Sequence, residues 1–89
     1  MTVEFTKHEE GSREYVLSWV EGRHQSTVQI IKYFAWSHLP ERLKPFSREV
    51  GLLAFYMVTA LPDGPELTTG LRKLLEAKDC FVRAALDVE

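Results

Sequence analysis

The segment from Tyr33 to Arg48, "YFAWSHLPERLKPFSR", gathers the side chains of this sequence best suited to holding a ligand. Phe34 and Trp36 supply flat aromatic faces, His38 a hydrogen-bonding edge, and Lys44 and Arg48 positive charge. Aromatic faces stack on nucleobases for about 1 to 3 kcal/mol each, and Arg and Lys neutralise phosphate oxygens. These are the two halves of a nucleotide site, so Phe34, Trp36, His38, Lys44 and Arg48 form the candidate ligand-binding set. The competing role for the same residues is plainer: the rings pack on a neighbouring helix and the cations stay in solvent.

Other chemistry finds less support. The sequence has no GxGxxG, Walker A, GxSxG, HExxH or CxxC pattern, so binding without catalysis and without a cofactor is the expectation. His8, His24 and His38 stand at spacings that fit no common metal site. Cys80, set among apolar residues, reads as a small hydrophobe and not a nucleophile. Arg72, Glu76, Asp79 and Arg83 recur every three or four residues, which reads as a solvated, salt-bridged helix face.

The whole chain sets the frame for these residues. Its 89 residues support one small domain, 1–89, and 45% hydrophobic with 27% charged residues is the composition of a folded chain. A formal net charge of -2 lacks the basicity of a general nucleic-acid binder, so no polymeric nucleic acid is expected as partner. A single cysteine rules out an intrachain disulfide and makes a reducing cytoplasm the default. The opening "MTVEFTKHEE" lacks the apolar core of a secretory signal, and the most apolar run, residues 50–61, is far short of the roughly 20 residues a bilayer span needs. Neither export nor membrane insertion is expected.

The elements that must position the candidate site divide into three regions. Residues 1–25 are an N-terminal extension with two readings: a β-hairpin turning at "EEGS", or a helix capped by Ser12 and closed by Gly22, with Tyr15, Val16, Trp19 and Val20 on one face. Residues 26–45 are the ligand-side segment, a short helix capped by Ser26 with Val28, Ile31 and Phe34 aligned, then a bend at Pro40, which is placed to open the next helix. Residues 46–87 carry the clearest pattern, helices over about 46–61 and 65–87 joined by "LPDGPE" as an antiparallel hairpin. The fold class is therefore mainly α.

The periodicity sets Phe46, Val50, Leu53, Met57 and Ala60 against Leu67, Leu71, Leu74, Phe81 and Ala85. That leaves Leu52, Phe55, Tyr56 and Val58 on one helix, and Leu75, Val82 and Leu86 on the other, with apolar surface still to cover. A helix apolar nearly all round must be buried nearly all round, so self-association is expected, with the N-terminal region covering part of the remaining surface.

Residues 34–86 also resemble a known family. The aromatic "FAWSHLP", the helix and turn "LLAFYMVTALPDGPE" and the helix "LRKLLEAKDCFVRAAL" are similar to the corresponding stretches of the phage anti-CBASS sponges, whose helical hairpin is shared with an anti-Thoeris sponge. The resemblance implies a protein that sequesters cyclic oligonucleotide immune messengers without degrading them, in the cytoplasm of a bacterial host. It implies a compact homo-oligomer, commonly a hexamer, holding cyclic dinucleotides between protomers and in some members cyclic trinucleotides at separate sites. Trp36 falls where the family has its base-stacking tyrosine, and Arg48, with Lys44 beside it, near the family's phosphate-binding residue. The chain differs from the family pattern in the additional Ser37, in Pro65 beside Glu66 where an arginine is usual, and in Arg72 where a threonine is usual. The other expectation, independent of this resemblance, is a phage accessory protein that uses the hairpin for assembly with a protein partner.

Overall fold

A computed structural model describes residues 8–87. The chain is mainly helical, with no strand among the described residues: α1 (Arg13–Ser18), α2 (Gln25–Ile31), a 3₁₀ turn (Lys32–Phe34), α3 (Lys44–Ala60) and α4 (Pro65–Leu86). No helix among them is long and apolar enough to cross a membrane.

The two readings of the N-terminal extension resolve to the helix as far as the described residues reach; residues 1–7 lie outside them. Ser12 is the cap, its hydroxyl accepting from the Tyr15 N–H at 3.1 Å. Beyond Ser18 the chain continues in tight turns, the Val20 N–H donating to Leu17 and the Arg23 N–H to Val20, before Gly22 and Arg23 redirect it. The cap of α2 is not Ser26 but His24, whose Nδ1 accepts the Ser26 N–H at 3.0 Å.

Pro40 does not open a helix. Its carbonyl accepts the N–H groups of Leu43 and Lys44 at 2.9 and 3.2 Å, closing a turn, and α3 starts at Lys44 with Pro45 in its first turn, where a missing N–H costs nothing. α4 opens at Pro65 with Glu66 beside it, as expected of "LPDGPE".

α3 and α4 pack as an antiparallel hairpin that forms one layer, and α1, α2 and the 3₁₀ turn form the other. The result is a slab with principal extents of 43 × 34 × 17 Å. α3 is rotated from the expected register. Its buried row is Ser47, Gly51, Ala54 and Val58, while Phe46, Leu53 and Ala60 are exposed. The reason is volume. The large side chains come from the other layer, so α3 must offer small ones, and a Cβ on Gly51 would stand 2.9 Å from the Trp36 ring and 3.2 Å from the Phe34 carbonyl oxygen. On α4 the expected Leu67, Leu71 and Ala85 are buried, but Phe81 is not.

Ile31 and Phe34, both fully buried, fill the centre with Val20, Ala54, Val58 and Leu71. Full burial of each such side chain contributes about 1.5–3 kcal/mol.

A polar clasp joins the layers at one end. Arg23 donates from Nε to Asp63 at 3.1 Å, from one terminal nitrogen to the Leu61 carbonyl at 2.9 Å, and from the other to the Val58 carbonyl. It thereby satisfies carbonyls that the end of α3 leaves without helical partners. Asp63 also accepts from the Thr27 hydroxyl at 2.7 Å and the His24 N–H at 3.0 Å. The Thr27 and His24 donors, with Arg23 beside them, hold its carboxyl at about 2, below its ordinary 3.8.

Unfolding returns that carboxyl to its ordinary value, so the clasp stabilises fully above about pH 4 and weakens as pH falls toward the folded value. In thermal melts between pH 5 and 2, Asp63→Asn should start lower than the parent and lose less of its Tm across the window. Parallel acid profiles would show that the clasp adds nothing to acid stability.

Candidate functional site

The five candidate residues part company in the fold. Phe34 is fully buried and Trp36 is only 4% exposed, so neither ring offers a face to a ligand. Here the expectation from sequence is corrected: both are core residues. Trp36 lies in a second apolar cluster with Val16 and Ala35, its ring centroid 6.0 Å from Tyr15 and 6.4 Å from Trp19. The backbone N–H groups of Trp36 and Ser37 both donate to the Gly11 carbonyl, at 2.7 and 2.9 Å, which fixes the segment against the start of α1.

The two cations on α3 are already engaged with acids. Lys44 pairs with Glu41 at 3.0 Å, and Arg48 lies 3.7 Å from Glu10 and 3.4 Å from Glu49. Neither lines the cleft that holds Tyr33 and His38. His38 alone of the five is exposed on a concave surface.

That surface is a cleft of about 500 Å³ between the start of α1, the 3₁₀ turn and the middle of α4. Phe34, Ala35 and Trp36 are buried in succession, whereas Tyr33 before them is 53% exposed. Arg13, Lys32 and Lys78 bring three cations to the cleft, against the carboxylates of Glu14 and Asp79. Lys32 lies over the Tyr33 ring, its Nζ 5.4 Å from the centroid, and also donates to Gln29 at 3.0 Å. Lys78 donates to the Tyr33 carbonyl at 2.9 Å, so α4 anchors the turn that carries the exposed ring, and it pairs with Asp79 at 3.4 Å, which leaves Arg13 and Lys32 as the cations of the cleft without an ion pair among the described residues. An aromatic face, an imidazole and a surplus of positive charge in a cleft of this size suit an anionic ligand that carries a flat ring.

No protein-family model, curated protein or solved structure matches the chain. The reading of the site therefore rests on its own geometry.

Among the described residues, no group of three or more His, Cys, Asp or Glu side chains could hold a metal ion. Cys80 is exposed on α4, not buried as its neighbours in sequence suggest. Sequence reasoning missed Tyr33, Lys32, Arg13 and Lys78. Tyr33 and Lys32 adjoin the residues it chose, and the signal available was helical phase: Ile31 and Phe34 share the inward face, which turns Lys32 and Tyr33 outward. Nothing local in the sequence places Arg13 and Lys78 beside them, since that juxtaposition comes from the packing of α1 and α4.

Proposed function

We propose that this protein is a non-enzymatic binding protein of the sponge type. It captures a cyclic di- or trinucleotide messenger without altering it, in the cytoplasm of a bacterial host, as a homo-oligomer with a hexamer favoured by the family resemblance. The observation that carries the reading is the cleft in which exposed Tyr33 and His38 meet Arg13, Lys32 and Lys78. The stacking role that the resemblance gives to Trp36 passes to Tyr33, and the phosphate role of Arg48 and Lys44 passes to Lys32 and Arg13. Calorimetric titration with a panel of cyclic di- and trinucleotides tests it. At least one should bind at micromolar protein, and Tyr33→Ala should weaken that binding about tenfold or more, the loss of one stacked base. Absence of heat and of any thermal shift across the panel would remove the reading.

A second reading is favoured by the burial of Phe34 and Trp36 and by the exposed apolar residues of the hairpin: a structural or interaction protein of a phage, assembled through α3 and α4. It predicts no ligand response from the Tyr33 cleft and a normal assembly in the Tyr33→Ala variant.

A further inference from the structure

The cleft that holds Tyr33 also contains a carboxylate without a counter-charge. Glu14 lines it from the first turn of α1, is exposed, and joins no ion pair among the described residues. Its own helix does not account for it. Leu17 and Ser18, three and four positions further on, carry no charge, and Arg13, one position back, is turned away by about 100°. The macrodipole favours an acid in this turn but is indifferent to where the side chain points. The other carboxylate of the cleft, Asp79, already has Lys78 at 3.4 Å. Glu14 is thus the free carboxylate of a cleft whose free cations are Arg13 and Lys32.

An ionised carboxylate only accepts hydrogen bonds, through two oxygens side by side. A nucleobase stacked on Tyr33 turns its edge to the polar wall of the cleft, and the Watson–Crick edges of the bases answer a carboxylate differently. Guanine presents two neighbouring donors, N1–H and the N2 amino group, which satisfy both oxygens. Adenine and cytosine each present one amino donor beside a ring-nitrogen lone pair, which repels the second oxygen. Uracil and thymine present a single N–H flanked by two carbonyl oxygens.

We infer that Glu14 selects guanine, so that the cleft takes guanine-containing cyclic nucleotides. The base stacks on Tyr33, its N1–H and N2 amino group donate to the Glu14 carboxylate, and Arg13 and Lys32 take the phosphate. This rests on the proposed nucleotide reading of the cleft and narrows it to one base. Both hydrogen bonds go to a charged acceptor, and in adenine one of them is replaced by a repulsion, so discrimination of at least tenfold follows.

Calorimetric titration of the full chain with a guanine-only and an adenine-only cyclic dinucleotide, and with the same pair of cyclic trinucleotides, tests the selection. In the ring size that binds, the guanine compound should bind at least tenfold tighter. Glu14→Gln replaces one acceptor by a donor, a pattern that suits adenine's amino group and ring nitrogen. It should weaken the guanine compound at least tenfold and level or reverse the preference, with helical circular dichroism unchanged. Equal or tighter binding of the adenine compound by the parent, or a guanine preference that Glu14→Gln leaves intact, overturns the inference and leaves the nucleotide reading standing. Silence of both guanine compounds overturns the inference whatever else binds, and silence of every cyclic nucleotide removes the underlying reading as well.

Discussion

Trp36→Ala is expected to cost about 3–5 kcal/mol of stability, the range for emptying a large aromatic site in a core. A domain of this size has a total stability on the order of 4–13 kcal/mol, so the variant should lose a large share of it. The magnitude follows from what the indole touches. It lies against the absent Cβ positions of both Gly11 and Gly51, so it joins the start of α1 to the middle of α3. Its aromatic neighbours Tyr15 and Trp19 lose their packing with it, and Trp19 is itself 5.0 Å from Phe55. Chemical denaturation followed by circular dichroism measures the loss. A cost below about 1 kcal/mol would show that the ring is dispensable to the core and return it to the candidate ligand set.

Gly11→Ala is expected to be nearly as damaging, although it adds a single methyl group. Gly11 has φ +84°, where a side chain costs roughly 1–2 kcal/mol, and the new Cβ would overlap Trp36 Nε1. Forcing the indole aside adds overpacking of about 1–3 kcal/mol and strains the two hydrogen bonds that the Gly11 carbonyl accepts. Gly22→Ala is the control, since Gly22 has φ +78° but open space where its Cβ would go. It should cost the backbone strain alone. Equal denaturation midpoints for the two variants would show that the contact with Trp36 adds nothing.

The hairpin was legible because its signals are local: Pro65 and Glu66 after a turn, and two long runs of helical periodicity. The phase of α3 was not. A row of Ser47, Gly51, Ala54 and Val58 looks weaker than the competing row of Phe46, Val50, Leu53 and Met57, and only the bulk of Phe34 and Trp36 on the opposing layer makes the small row the buried one. The same fact explains the site. Strong aromatic character in "YFAWSHLPE" marked the right stretch of chain, but it could not tell which rings would supply the core and which the surface. His38 stayed on the concave side, Phe34 and Trp36 went inward, and Lys44 and Arg48 found acids of their own. Arg13 and Lys78 are separated from Tyr33 by 20 and 45 residues, a proximity that no local pattern encodes.

The clasp between Arg23 and Asp63 also sets how much the chain can be lengthened. A surface turn usually tolerates insertion because its backbone bonds only to water. The turn from Leu61 to Gly64 does not have that freedom: the Leu61 carbonyl and the Asp63 carboxylate are held by groups roughly 40 residues earlier in the sequence. An extra residue there would pull the turn out of reach of Arg23, His24 and Thr27 together. Spacing between α3 and α4 is therefore constrained as tightly as the identity of a core side chain, and fusions or tags belong elsewhere on the molecule.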